Sequence, residues 1–173
     1  MGRHDLRLLG AILAGGASSR FGPDKARALH HGKPLLGHVI AALSLQVTSL
    51  AVIGRDWPGM LRVDDRPVPG LGPLGGLCGA LVHAAGNGFD AVLVAPCDTL
   101  DLPADLVLRL GAGPAVAAGQ RSVGLWPATL APALLEWLGE GRSRALNAWV
   151  MASGAREIDC GALRNINTPA DLA

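Results

Sequence analysis

The sequence predicts a three-layer α/β/α protein, folded as one domain on a mostly parallel sheet. Three observations point to it. Continuous apolar runs at 8–13 and 91–95 read as strands buried on both faces, which is how strands of a helix-covered parallel sheet read. Segments with apolar residues at helical spacing alternate with strand candidates over the first half of the chain. A glycine-rich turn follows the first strand directly, and such sheets take their ligands outside the carboxyl ends of strands. The 173 residues suit one domain with a sizeable core, and no repeat or linker divides them.

The elements can be justified in order. Leu8 to Leu13 is strand one, interrupted only by Gly10. Pro34 to Leu45 has helical spacing and opens on proline, which suits a first turn. Ser49 to Ile53 reads as a short second strand closed by Gly54-Arg55-Asp56, and Leu61 to Asp65 as a third ending in the pair Asp64-Asp65. From Pro67 to Gly76 proline and glycine forbid regular structure until the end, where a helix runs from Leu74 to about Ala85. Gly70-x-Gly72-x-x-Gly75 spells the dinucleotide fingerprint. Two prolines stand where a hydrogen-bonded strand must precede it, and Pro73 sits inside it, so that reading is rejected. The glycines instead let backbone lie close to a base or ribose.

Ala91 to Ala95 is the cleanest strand and ends at Pro96-Cys97-Asp98-Thr99. Pro103 to Leu110 reads as helix, Pro114 to Ala118 and Val123 to Leu130 as weaker strands. Leu134 to Leu138 and Ala145 to Val150 have helical spacing. Thr168 as cap, with Pro169 and Asp171 in the first and third positions, starts a final helix that is truncated or hardly present.

Half the residues are hydrophobic and 17% charged, a globular, soluble composition. A net charge of +1 argues against nucleic acid or an anionic membrane as partner. No stretch approaches the ~18 apolar residues of a membrane span. Cys78, Cys97 and Cys160 are odd in number and lack a C-x-x-C spacing, so neither a disulfide framework nor a zinc site is expected. Arg3, Arg7 and the first apolar run imitate a signal peptide. The run is short for one, and cleavage would remove the glycine loop, so a cytoplasmic location is expected. His30, His31, His38 and His83 have no metal-ligand spacing, and the four tryptophans read as core or rim.

The chemistry gathers on the stretch from Leu13 to Lys25. Around Gly15 and Gly16 small residues let the backbone bend tightly and present N–H groups to an anion. Arg20 and Lys25 then supply two cations suited to phosphate oxygens, Arg20 as a bidentate clamp. A Walker loop is excluded, because no Lys-Ser or Lys-Thr occurs in the chain. Asp98, at the end of a buried strand, is a rigidly placed carboxylate of the kind that holds Mg²⁺ together with substrate phosphates. A loop aspartate capping its own turn is the plain alternative.

Leu-Ala-Gly-Gly-x-Ser-x-Arg-x-Gly-x-Asp-Lys at 13–25 resembles the signature loop of nucleotidyltransferases, and among them of the molybdenum cofactor guanylyltransferases, with Phe21 where that family usually has Met. Gly72 to Gly76 is similar to the family's second nucleotide-side loop, and Pro96 to Thr99 to its metal motif. Gly124 to Pro127 and Asn165-x-Asn167-Thr168-Pro169 resemble stretches lining the pterin side. Departures are Ile53-Gly54 where an Asn often follows strand two, and Gln120-Arg121 where a His-Pro pair is common.

The resemblance implies a Rossmann-like nucleotidyltransferase fold. It implies transfer of GMP from GTP to the terminal phosphate of molybdopterin, with pyrophosphate released and Mg²⁺ held by Asp98. The nucleophile is already an anion, so no general base is needed. Catalytic roles fall to Lys25, Arg20 and Asp98; nucleotide binding falls to Leu13, Ala14, Gly15, Gly16, Lys25, Asp65 and Asp98. Asp64 is as good a candidate as Asp65. Asn165 and Asn167 either meet the pterin or shape the turn before Thr168. Asp101 is a candidate second metal carboxylate, and Arg142 and Arg144 either meet the pterin phosphate or stay solvated. The implied partners are GTP, molybdopterin, and acceptor molybdoenzymes or their chaperones. Alternatives are a cytidylyltransferase on the same cofactor, a sugar-1-phosphate nucleotidyltransferase, which is usually longer, and a non-catalytic GTP- or cofactor-binding protein. The presence of both Lys25 and Asp98 speaks against the last.

Overall fold

Strand β1 (Leu8–Leu13) sets the frame, because its side chains alternate between two separate cores. Leu9 and Ala11 face one core, Leu8 and Ile12 the other. The computed structural model describes residues 5–16 and 24–173. After β1, strands β2 (Leu29–His30) and β3 (Lys33–Pro34) form a short antiparallel hairpin leading into helix α1 (Leu35–Ser44). Then follow β4 (Ser49–Ile53), β5 (Leu61–Val63), α2 (Gly72–Gly86), β6 (Ala91–Pro96), β7 (Thr99–Leu100) and α3 (Leu106–Leu110). The second half adds β8 (Ala115–Ala117), β9 (Gln120–Pro127), α4 (Ala131–Gly139), α5 (Leu146–Ser153), β10 (Arg156–Ile158) and β11 (Arg164–Asn165).

Both halves contribute to one seven-stranded sheet, in the order β10-β8-β9-β6-β1-β4-β5. Every pairing is parallel except the two made by β9, which runs against its neighbours β6 and β8. Helices α2, α4 and α5 cover one face and α1 and α3 the other, so the three layers and the mostly parallel sheet are as expected. Each fully buried leucine or isoleucine on these faces contributes roughly 1.5–3 kcal/mol. From β1 the chain moves to β4 and β5 on one side, then returns as β6 on the other. Strand order therefore reverses at β1, which makes the carboxyl edge of β6, β1 and β4 the place for a ligand.

Several elements differ from the sequence reading. Pro34 pairs in the β3 hairpin and precedes α1 rather than opening it. Helix α2 starts at Gly72, two residues earlier than expected, because Pro73 fits its first turn, where no N–H is needed. The strand expected at 123–130 spans Gln120–Pro127, and Pro127 leads into a 3₁₀ turn at Ala128–Leu130. Of the helix expected from Pro103, only Leu106–Leu110 is helical. The final helix is a 3₁₀ turn at Pro169–Leu172 held by a Thr168–Asp171 capping box.

A third, small cluster of Leu35, Leu100 and Ile166 lies where β11 pairs antiparallel with β7, and the Ile166 N–H donates to the Asp98 carbonyl at 3.0 Å. Among the described residues no helix is long and apolar enough to cross a membrane.

Candidate active site

Three parallel strands end together, and the backbone ladder continues one residue beyond each. The Ala14 N–H donates to Ile53 O (3.1 Å), Gly54 N–H to Val63 O (2.9 Å) and Cys97 N–H to Leu13 O (2.9 Å). These bonds fix the residues that follow: Gly15 after β1, Arg55 after β4 and Asp98 after β6. At Gly15 and Gly54 the two loops touch. A β-carbon on Gly54 would sit 2.8 Å from the Gly15 Cα, and Gly54 has φ +84°, so a side chain is excluded twice over. That contact accounts for glycine where an Asn is common in the family resembled.

Between these loops and α2 lies a cleft of about 310 Å³. Leu13, Ala14, Gly15, Gly16, Lys25, Asp65 and Asp98 all line it, so the structure brings together most of the residues singled out for the nucleotide. Lys25 donates to Asp98 Oδ2 at 2.5 Å, with both side chains largely buried. Gly72 and Pro73 put the first turn of the 15-residue helix α2, with its unbonded N–H groups, on the same wall. Arg20 lies outside the described residues.

The acidic pair divides cleanly. Asp64 is exposed and accepts from Arg62 Nε at 2.8 Å, whereas Asp65 turns into the cleft. Helix α2 decides this by lying flat against the pair: a β-carbon on Gly79 would come within 2.1 Å of the Asp64 carbonyl. Burial raises the Asp65 carboxyl above its ordinary value and neighbouring Asp64 adds to the rise, while a backbone bond from Gly70 opposes it.

Asp24 and Arg55 escaped the sequence reading. Arg55 donates to both Asp24 oxygens, Nη1 to Oδ1 and Nη2 to Oδ2, each at 2.6 Å. This bidentate bond holds the Asp24 carboxyl below its ordinary value and raises Arg55 further. Both residues line the cleft. The signal that finds Arg55 is its place after a parallel strand, the same one that marks Gly15 and Asp98.

Asn165 and Asn167, expected either to meet the pterin or to shape the turn before Thr168, stand outside the cleft in a bonded network. Asn165 Oδ1 accepts from Thr99 Oγ1 and from Gln120 Nε2, both at 3.0 Å, and its Nδ2 donates to Gln120 Oε1 at 2.7 Å. Neither Asn165 nor Asn167 lines the cleft; among the described residues the network reaches it through Ser122, which accepts from Gln120 at 2.8 Å. The Asn167 N–H donates to Asp171 Oδ2 at 2.8 Å and so shapes the last turn. Gly124, Leu125 and Trp126 are buried residues of β9 and do not line the cleft. Asp101 bonds Arg164 at 3.2 Å and lines a separate cavity with His30, His31 and His38 rather than the cleft that Asp98 lines. Arg142 is exposed and bonds Glu140 at 2.8 Å. Trp126 and Trp149 are core residues, and Trp57 lies at the rim beside Arg27 and Arg55.

Comparison with solved structures defines the class. The chain has the fold of the nucleotidyltransferases: it superposes with TM-score 0.73 on molybdopterin-guanine dinucleotide biosynthesis protein A from Archaeoglobus fulgidus, at 20% identity over 95% of this chain and 94% of that one. It also superposes with TM-score 0.64 on 2-C-methyl-D-erythritol 4-phosphate cytidylyltransferase from Thermus thermophilus, at 18% identity over 96% of this chain and 95% of that one. Residues 10–155 match the family model described as the MobA-like NTP transferase domain, and the chain belongs to that family. Two curated relatives are each named molybdenum cofactor guanylyltransferase. The Acidiphilium cryptum protein is 37% identical, covering 95% of this chain and 92% of its own, and the Cereibacter sphaeroides protein is 38% identical, covering 97% and 95%.

Proposed function

We propose that this chain is a molybdenum cofactor guanylyltransferase, which transfers GMP from GTP to the terminal phosphate of molybdopterin and releases pyrophosphate. The observation that carries the reading is Lys25 against Asp98 at 2.5 Å, in a cleft whose floor is the Gly15–Gly16 backbone. A single buried carboxylate already neutralised by a cation is the donor set of a metal that takes its other ligands from phosphate and water. Among the described residues no group of three or more His, Cys, Asp or Glu is placed to hold a metal alone. Mg²⁺ fits this set, with Asp98 as its protein ligand, and supplies charge neutralisation on the α- and β-phosphates.

The chain's own residues then do the following. Backbone N–H groups from Leu13 to Gly16 and the first turn of α2 seat the triphosphate. Lys25 stabilises the charge that builds on the α-phosphoryl group in transit. Arg20 clamps the outer phosphates, and Asp65 accepts from the donor edge of guanine. Positioning and charge neutralisation carry the rate, since the attacking phosphate is already anionic. The N-terminal half forms the nucleotide side and the C-terminal half, with Asn165 and Asn167, the pterin side of one catalytic domain. Free thiols at Cys78, Cys97 and Cys160 fit a reducing cytoplasm, and acceptor molybdoenzymes or their chaperones are the natural recipients of the product.

Titrating GTP, CTP and ATP into the protein with Mg²⁺, and following pyrophosphate release with molybdopterin, tests the reading. GTP is expected to bind about tenfold or more tightly than either competitor, since a site built on guanine's donor pair leaves polar groups unpaired with the wrong base. Equal affinities, or tighter CTP, would assign the cytidylyl reaction to the same residues.

A further inference from the structure

We propose that Arg55 is a positioning residue for this reaction, the fixed anchor that holds Lys25 in place through Asp24. The inference rests on the functional reading above and adds to it a residue outside the expected binding set. Its basis is how the dipeptide Asp24-Lys25 is fastened. In the sheet β1 lies between β6 and β4, and Asp98 and Arg55 follow those two outer strands. Lys25 is bonded to Asp98 on one side and Asp24 to Arg55 on the other, so the dipeptide spans the edge of β1 and is tied at both ends.

The two ties differ in kind. The Lys25 bond to Asp98 comes from a flexible four-carbon stem and goes to the carboxylate that the metal is expected to take. The Asp24 tie is a planar two-bond fork at 2.6 Å, which a ligand cannot replace piecemeal. Arg55 is itself braced. Its guanidinium carbon lies 5.9 Å from the Trp57 ring, and Arg27, which also bonds Asp24 at 3.1 Å, lies 5.4 Å from the same ring. Among the described residues the buried Arg55 Nε has no hydrogen-bond partner, so the Asp24 fork and the Trp57 ring direct the polar end of this side chain. When Lys25 leaves Asp98 for phosphate, Arg55 keeps its backbone where the ammonium can reach the transferring group.

Lys33 is the only other lysine in the chain, which permits a test that does not depend on substrate. In Arg55→Ala and in Asp24→Asn, acetylation of Lys25 read by peptide mass spectrometry is expected to speed up about threefold or more while Lys33 is unchanged. With GTP and molybdopterin the same variants are expected to lose about tenfold or more in kcat with the KM for GTP within about threefold, and Arg55→Lys is expected to recover part of that loss. Asp24→Asn preserves side-chain size and serves where Arg55→Ala fails to fold. Unchanged Lys25 labelling in both variants overturns the proposal, as does a loss confined to the KM for GTP, which would make Arg55 a direct nucleotide ligand. If the wild-type protein transfers no GMP from GTP, the functional reading fails on its own, and the labelling ratio still decides the role of Arg55.

Discussion

The cleft beyond β1, β4 and β6 and the network joining β7, β9 and β11 meet at Ser122, yet they hold their polar groups differently. In the cleft the partners are ions: Lys25 with Asp98, Arg55 with Asp24, and a desolvated Asp65. In the network they are neutral: the amides of Asn165 and Gln120 bond each other twice, and Thr99 donates to Asn165. The Lys25–Asp98 pair can exchange for the charges of a phosphate or a metal, whereas the two-bond Arg55–Asp24 fork is harder to displace. Amides bonded to one another hold their strands in register and can meet a ligand only through the donors and acceptors left over. The difference teaches where binding chemistry resides on this edge, and where shape does.

The comparison is broken most directly at Asp98. Asp98→Asn is expected to lower Mg²⁺-dependent turnover by about 100-fold or more with the melting temperature preserved, because an amide is a weaker ligand for a hard cation. Turnover near wild type at saturating Mg²⁺ would remove Asp98 from the metal. Lys25→Ala is expected to cost about 10- to 100-fold in kcat and clearly less in GTP affinity. An affinity loss at constant kcat would limit Lys25 to anchoring ground-state phosphates.

Across the boundary, Asn165→Ala is expected to destabilise the fold by about 1–3 kcal/mol in denaturant unfolding, since it strands the Gln120 amide and the Thr99 hydroxyl. A loss of kcat/KM for the pterin at unchanged stability would instead make Asn165 a ligand contact. The smallest effects separate the two cleft carboxylates. The lowered pKa of Asp24 means its contribution is present above the ordinary value of 3.8 and lost as pH falls through the lowered one. The raised pKa of Asp65 means its contribution is present below 3.8 and lost as pH rises through the raised one. At pH 7, therefore, Asp24→Asn lowers the melting temperature and Asp65→Asn raises it, each by about 1–3 °C, and both differences shrink toward pH 3. Melts that move in the same direction would contradict the assignment.

How much of this was legible in the chain depended on distance along it. The Gly15 loop and Asp98 were legible because each directly follows an unbroken apolar run. Asp65 could not be told from Asp64, because only the contact with α2 turns one inward. Arg55 stayed hidden because its meaning comes from Asp24, 31 residues away. The choice for Asn165 between pterin contact and turn-shaping stayed open because Gln120, which bonds its amide, lies 45 residues earlier. Strands β7 and β11 are two residues each, too short to show a period. The seven-stranded sheet fared better, since the continuous apolar runs of β1 and β6 are a local property.

Ile166 has a consequence for timing. Its N–H bonds the Asp98 carbonyl and its side chain fills the cluster with Leu35 and Leu100, against which Ala28, three residues after Lys25, also packs. During synthesis every strand of the large sheet emerges before residue 164, so the scaffold can assemble while Asp98 still lacks its clasp. At roughly 5–20 residues per second the wait from Ile158, the end of β10, to Ile166 lasts about a second. The strands of the large sheet are thus all made before the residue that fastens the Asp98 backbone, and a ribosome stalled between 158 and 166 has made the whole sheet but not that clasp.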